Sequence, residues 1–202
     1  MQIRDRIRVM MGLPPREGES VFDVLTREHR EVDVLFAQMD KAVDFTARRV
    51  VFDRIHIALS AHVLAEQVVV YPLLGDNETT HQLVLEGFEE HRILRTLLDE
   101  LAQGSVNDAW LARLDVLREA VTHHVHEEET ELFPRGRVLF DAARQHEVAE
   151  YYIAAHLRLK RRREALGPAL PVRPAASRPP RSSSPERRAP TRGRGSTAKR
   201  PK

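Results

Sequence analysis

The sequence repeats itself at an interval of 62 residues, and this repeat constrains the fold more than any other feature. Each half contains a histidine and, 33 residues later, a second histidine that is followed after four residues by glutamate. Repeats that serve packing alone preserve apolar positions, so a repeat of histidine and glutamate indicates a site. The matched residues are Glu28-His29-Arg30 with Glu90-His91-Arg92, His62 with His124, Glu66 with Glu128, and Tyr71-Pro72 with Phe133-Pro134.

The segments between turn signals have apolar residues at three- and four-residue steps, which is typical of amphipathic helices. No segment alternates convincingly with a period of two, so we predict an all-α chain. Turn signals near residues 44–46, 75–77 and 104–107 divide residues 20–136 into four helices that begin at an N-cap, Ser20. Because short connections favour antiparallel neighbours, we predict an up-down-up-down four-helix bundle made of two repeated helical hairpins, each ending at an aromatic-Pro stop.

Proline and charge divide the remainder of the chain. We predict an N-terminal leader at residues 1–19, an additional C-terminal helix at 137–166 and a tail rich in Arg, Pro and Ser at 167–202. The tail has ten Lys or Arg and one acid, a charge of +9, which leaves −7 for the preceding residues of this +2 chain. A tail of this composition cannot form a core, and we predict that it is disordered.

The composition also excludes several classes of site. The sequence contains no cysteine, so disulfides, thiolate metal sites and a nucleophilic cysteine are excluded. We find no run of about 18 apolar residues and no signal-peptide core, so we expect no membrane contact and a cytoplasmic location. For the basic tail, a solubilising role is favoured over nucleic-acid contact, because no aromatic residue is available to stack on bases.

The spacing within each hairpin places its two histidines at one level. The midpoint between His29 and His62 falls at residues 45–46, inside the predicted turn. The midpoint between His91 and His124 falls at residues 107–108, at the next predicted break between helices. A four-residue step turns about 400° around a helix, so His62 and Glu66 share a face. Packing the hairpins together then gathers four imidazoles and two carboxylates in the bundle centre. The predicted metal ligands are His29, His62, Glu66, His91, His124 and Glu128.

This donor set favours a pair of first-row metal ions, since imidazole binds one ion and a carboxylate can bridge two. Without metal, burying these six groups in one layer would be costly. The glutamates at 127 and 129 are expected to be exposed. The histidines outside the predicted set are expected to be structural or solvent-facing; they are His56, His81, His123, His126, His146 and His156.

These residues resemble the haemerythrin-like, or His-His-Glu cation-binding, family over about residues 20–136. The resemblance implies a non-haem di-iron centre, in which two iron ions share an oxo or hydroxo bridge. It makes the four predicted histidines terminal ligands, and Glu66 and Glu128 bridging carboxylates. The motifs that carry it are Glu28-His29-Arg30-Glu31, His62-x-x-x-Glu66 with Tyr71-Pro72, Glu90-His91-Arg92, and His124-x-x-x-Glu128 with Leu132-Phe133-Pro134.

The chain departs from the oxygen-carrying members of that family at one position. They have a fifth histidine one turn before the third-helix ligand, and here that position is Gly87. The missing ligand either leaves one iron more open, or is replaced by water or by an unpredicted side chain such as a tyrosine. Oxygen binding, catalase-like removal of peroxide, and sensing of O₂, NO or iron are therefore comparable expectations. The alternative is an interaction module whose fifth helix or basic tail contacts a partner.

Overall fold

The computed structural model describes residues 15–167, and within them the chain is all-helical with no β-strand. The all-α prediction is therefore confirmed for the described residues. Most of the predicted leader and the tail beyond Gly167 lie outside this range. The helices are α1 (Val21–Asp40), α2 (Phe45–Ala65), α3 (Tyr71–Gly75), α4 (His81–Gln103), α5 (Asp108–Glu127), α6 (Phe133–Leu139) and α7 (Ala142–Ala165).

Side-chain caps set where the long helices begin. The Ser20 hydroxyl accepts a hydrogen bond from the Asp23 N–H, and the Asp23 carboxylate accepts one from the Ser20 N–H, a capping box that confirms the predicted start of α1. Asp44 and Asn107 accept from backbone N–H groups at the starts of α2 and α5. Asp141 does the same for α7, so this helix begins at Ala142 and not at the predicted residue 137.

Two π-helical turns, Glu66–Val70 and Glu128–Leu132, follow α2 and α5. Each begins at the glutamate of a His-x-x-x-Glu motif, and the Tyr71 N–H donates to the Glu66 carbonyl oxygen five residues back. The predicted stops at Pro72 and Pro134 are wrong, because the chain continues into α3 and α6 with each proline in the first turn. Each proline stands at the second residue after a π-turn, where the regular four-residue hydrogen-bond ladder is already interrupted.

The helices pack as two pairs and one addition. α1 contacts α2, α4 contacts α5, and α2 also contacts α4, which is the contact pattern expected of two paired hairpins. The predicted additional helix, α7, packs against both α1 and α2. The up-down-up-down order of the bundle stays a prediction.

Two apolar clusters form the core, and the polar residues of interest lie between them. One cluster surrounds Phe52 and Trp110, and the other surrounds Phe22, Tyr71 and Tyr152. In α1, His29 lies between Leu25 of the second cluster and Val32 of the first. In α4, His91 lies between Val84 and Leu94 in the same way. These polar residues are almost fully buried, so their groups need partners inside the bundle.

One continuous helical stretch among the described residues, Phe45–Gly75, is long and apolar enough to cross a membrane, with a mean hydropathy of 1.6 over its best window. Half of that window is buried inside the bundle. The core helix of a bundle passes the same length and composition test, so this stretch is weak support for a membrane span.

Candidate metal centre

The Nε2 atoms of the four predicted histidines converge in pairs. The Nε2 atoms of His29 and His62 are 3.2 Å apart, and those of His91 and His124 are 3.1 Å apart. Each pair comes from one hairpin, in agreement with the equal levels expected from the 33-residue spacing. All four side chains are buried.

Two carboxylates join these pairs. Glu66 Oε2 lies 3.3 Å from His62 Nε2 and 3.4 Å from His91 Nε2. Glu128 Oε2 lies 3.3 Å from the Nε2 atom of His29 and 3.5 Å from that of His124. Each glutamate therefore contacts one histidine from each hairpin, which is the placement that a bridging carboxylate needs.

The structure brings all six predicted ligands together in two overlapping groups, with the ligand atoms of each group within 4.8 Å of one another. We call the group with the first-hairpin histidines the first position and the other the second position. The first position consists of His29, His62, Glu66 and Glu128; the second consists of Glu66, His91, His124 and Glu128.

The six residues fit metal cations. Both carboxylate oxygens of Glu66, and Oε2 of Glu128, are buried and make no hydrogen bond with the described residues. Buried polar atoms normally have partners, so these oxygens need one that the described side chains do not supply. With metal–ligand bonds of about 2.0–2.1 Å, neighbouring ligand atoms lie roughly 3.0–3.4 Å apart, close to the separations seen here. Imidazole and carboxylate donors suit first-row divalent ions.

Electrostatics distinguishes the two carboxyl groups. Burial, and next the charge of Glu128, raise the pKa of Glu66 well above its usual range. Burial also acts to raise the pKa of Glu128, but His124 and His29 outweigh it and hold that pKa below its usual range. Although burial acts to lower the pKa of His29, its contacts with the carboxylates of Glu128 and Glu129 raise it to about 9. Protons therefore compete with a metal ion for this layer.

Three of the four histidines contact a second carboxylate through the other ring nitrogen. Such contacts fix the imidazole tautomer and leave Nε2 free to bind a metal. The Nδ1 atom of His91 is buried and makes no hydrogen bond with the described residues. The contacts are His29 Nδ1 with Glu129 at 2.9 Å, His62 Nδ1 with Glu28 at 3.0 Å and His124 Nδ1 with Glu90 at 2.8 Å.

Sequence reasoning missed these partners. The expectation that Glu129 is exposed is wrong, since its side chain is 22% exposed and is held by His29 and Arg30. Glu28 and Glu90 received no role, although each precedes the first histidine of its half at the same repeat position. That repeated glutamate was the available signal, because packing alone does not retain a carboxylate.

α7 also reaches this layer. The Tyr152 hydroxyl donates to Glu28 Oε2 at 2.6 Å, and His156 Nδ1 lies 2.7 Å from Glu28 Oε1. Both side chains are buried, so His156 is structural, one of the two roles expected of it. Glu28 thereby receives contacts from α7 as well as from His62.

Tyr71 lies at the position that the sequence left vacant. Its hydroxyl donates to Glu128 Oε1 at 2.9 Å and is 3.3 Å from His91 Nε2, and its ring stacks on the His91 ring. A β-carbon at Gly87 would lie 2.5 Å from the same hydroxyl oxygen. Tyrosine thus fills the space that opens where residue 87 has no side chain. Burial, and next Glu128, raise the pKa of Tyr71 well above its usual value.

The other histidines lie away from the four Nε2 atoms. His56 is buried against Arg163, and His81 contacts the Gly75 carbonyl oxygen. His123 is 65% exposed and belongs to a partly exposed group of potential ligands with Glu90 and Glu127.

Comparison with known proteins agrees with this site. The family model of the hemerythrin HHE cation binding domain matches residues 20–136. A DNA nickase from Nostoc sp. strain PCC 7120 is 25% identical over 152 residues, which cover 73% of this chain and 42% of the nickase. The chain thus spans less than half the length of that relative. No solved structure gives a significant match. Because the family model covers more than half of the chain, this protein belongs to the hemerythrin HHE cation-binding domain family.

Proposed function

We propose that this protein holds two iron ions between its two hairpins and binds or reduces O₂ or peroxide there. One observation carries the proposal: Glu66 and Glu128 each contact a histidine from both hairpins. Two ions would then have two histidines each and share both carboxylates. Iron is chosen from the first-row metals because of the family to which the chain belongs.

Bound iron would supply the electrons that reduce O₂ or peroxide. The protein's residues provide the surroundings. The two apolar clusters on either side of the layer keep water out, which strengthens electrostatic interactions within it. The Tyr71 hydroxyl orients Glu128 through its hydrogen bond and holds a proton within reach of the second position.

The proposed ligand is a molecule of two or a few atoms. A cavity of about 400 Å³ lies among α1, α2 and α7, with Glu31, Arg54 and Lys160 in its wall, but none of the six predicted ligands lines it. An organic substrate in that cavity would not touch the centre. All six predicted ligands are buried, which favours a ligand as small as O₂, NO or peroxide over an organic substrate.

A second candidate is a sensor that reports its metal state to a partner. The contacts of Tyr152 and His156 with Glu28 favour it, because they connect α7 to the proposed centre. The similarity to a DNA nickase makes DNA the partner to test first. The full chain should bind duplex DNA with different affinities in its iron-loaded and chelator-treated forms. Equal DNA binding by the two forms, or none, rejects a sensor that acts through DNA but does not reject the di-iron centre.

The experiment that tests the main proposal is metal analysis with an optical spectrum of aerobically purified protein. We expect two irons per chain and ligand-to-metal charge-transfer absorption in the near ultraviolet. Glu66→Ala should lose both, while Glu131→Ala, a matched change of an exposed glutamate, should keep them. An oxygen or peroxide electrode then measures whether the iron-loaded protein consumes either oxidant. A wild-type protein that stays metal-free and colourless after anaerobic loading with Fe(II) rejects the proposal.

A further inference from the structure

We propose that the two metal positions are unequal, and that the first position binds a divalent cation more tightly than the second. This inference rests on the proposed dinuclear function and concerns the residues around the ligands. Both positions have two histidines and share Glu66 and Glu128, so the ligands alone would make them equivalent. The two positions differ in the contacts that the imidazole rings make through Nδ1, the nitrogen that points away from the proposed ions.

At the first position both rings have a carboxylate on Nδ1: Glu129 on His29 and Glu28 on His62. At the second position only His124 has one, and the buried Nδ1 of His91 makes no hydrogen bond with the described residues. A carboxylate on Nδ1 fixes the tautomer that leaves Nε2 free and makes the ring a better donor. Loss of such a partner typically costs about 10- to 100-fold in metal affinity. We expect a difference of that order.

The repeat-related partners Glu28 and Glu90 also differ from each other. The Glu28 side chain is 6% exposed, and Tyr152 and His156 hold its two oxygens. The Glu90 side chain is 20% exposed, and its second oxygen faces His123 at the surface. A carboxylate held in a buried setting interacts more strongly with its imidazole than one that water reaches. α7 has no repeat mate, so its contacts with Glu28 have no counterpart at Glu90, and α7 is the source of this difference between the two glutamates.

Single-ligand variants can assign the two affinities. Mutual repulsion between two ions would produce two binding steps even at equal positions, so each position must be measured alone. His91→Ala disables the second position, and His29→Ala, its repeat mate, disables the first. The full chain of each variant is titrated with Co(II) without oxygen, and visible absorption of the ion is followed. We expect the His91→Ala protein to bind one ion about 10-fold or more tightly than the His29→Ala protein.

Equal affinities in the two variants, or tighter binding by His29→Ala, would overturn the inference. These outcomes leave the proposed di-metal function intact, provided the wild-type chain still binds two ions. If the wild type binds neither Co(II) nor Fe(II), the proposed function itself fails. The two failures are therefore distinguishable in one set of titrations.

The part played by α7 has a test of its own. Tyr152→Phe removes only the hydroxyl that holds Glu28, and Tyr151→Phe is the matched change at a neighbour that is 60% exposed. In the His91→Ala background, Tyr152→Phe should weaken Co(II) binding about 10-fold, and Tyr151→Phe should leave it unchanged. Tyr152→Phe should also move the paramagnetically shifted N–H resonance of the cobalt-bound His62, a signal that loosened packing elsewhere would not move. Unchanged affinity and resonance would reject a positioning role for Tyr152.

Discussion

The Tyr71 hydroxyl oxygen and the α-carbon of Gly87 are so close that a β-carbon at position 87 would lie 2.5 Å from that oxygen and 2.9 Å from Cζ of the ring. Real β-carbons do not approach other atoms this closely, so one residue or the other must give way. Tyr71 is fully buried and bonded to Glu128, which leaves it little freedom to move. The tyrosine beside the proposed centre thus depends on the glycine one turn before His91.

Gly87→Ala should therefore destabilise the protein, although alanine is the better helix former by about 1 kcal/mol. Overpacking of a rigid core typically costs about 1–3 kcal/mol, and this cost should exceed the helix-propensity gain. The measurement is the free energy of unfolding from urea titrations. In a Tyr71→Leu background the same substitution should be neutral or stabilising, because the hydroxyl and the ring edge are gone. An equal cost in both backgrounds would show that the Tyr71 contact is not its cause.

Glu66→Gln should leave the stability of chelator-treated protein nearly unchanged, within about 1 kcal/mol. Burial, and next the charge of Glu128, raise the pKa of Glu66 well above its usual range, which favours the protonated form, and glutamine has the shape and charge of a protonated glutamate. The variant should lose the stabilisation that metal adds to the wild type. That stabilisation is about 4 kcal/mol at a cation concentration 1,000 times the Kd. Urea titrations with chelator and with Co(II) measure both quantities.

Glu128→Gln is the contrasting variant. His124 and His29 hold the Glu128 pKa low in spite of burial, so the carboxylate is charged and paired with His29. Removal of one partner of a buried ion pair costs about 3–5 kcal/mol, so this variant should be destabilised even with chelator present. If the two glutamine variants lose equal stability under chelation, the protonation assigned to Glu66 is wrong.

The sequence predicted those parts of the site that repeat. The equal 33-residue spacings placed the two histidines of each hairpin level with each other, because helical rise fixes height along a hairpin. The four-residue steps placed Glu66 and Glu128 on the faces of His62 and His124, because four residues turn about 400° around a helix. The regular spacing of these residues along their helices was sufficient to predict that they meet, and the structure brings them together.

The features without local regularity could not be predicted. A π-turn inserts one residue into a helix and has no distinct composition. The sequence therefore predicts that the helix stops at Pro72, whereas the helix continues. The contact of Tyr152 with Glu28 joins residues 124 positions apart, and α7 has no repeat mate to indicate where it packs. The sequence predicted that a tyrosine could take the place of the missing histidine, but it did not identify Tyr71, because the approach of Tyr71 to Gly87 depends on how α3 and α4 pack.

Arg49 closes the end of α4, and its loss should be costly. Its guanidinium donates to the carbonyl oxygens of Leu101, Ala102 and Gly104, at the helix end where carbonyl groups lack intrahelical partners. Arg49→Met keeps the apolar stem and removes these bonds together with the ion pair to Asp53, so we expect the free energy of unfolding to fall by about 1–3 kcal/mol. Arg48→Met, which removes one bond to the Ala42 carbonyl oxygen, is the matched control. Equal losses in the two variants would contradict this capping role.

His56 should make the protein sensitive to acid. Its side chain is buried, and its Nδ1 accepts a hydrogen bond from Arg163 at 2.9 Å. Burial, and next the charges of Arg163 and Arg49, lower the His56 pKa to about 4. In the unfolded chain the pKa of histidine is about 6.5, so between these two values the unfolded chain binds more protons at this residue. Stability contributed by His56 is therefore fully present above about pH 6.5 and is lost as the pH falls toward 4.

His56→Gln isolates this contribution, because the glutamine oxygen can still accept from Arg163 but does not titrate. Free energies of unfolding between pH 7 and pH 4.5, measured with chelator present, should fall less steeply for His56→Gln than for the wild type. His126→Gln, the same change at an exposed histidine, should follow the wild-type curve. NMR titration of the His56 ring gives the pKa directly. A ring that titrates near pH 6.5 would show that Arg163 and burial do not hold it neutral, and the two stability curves should then coincide.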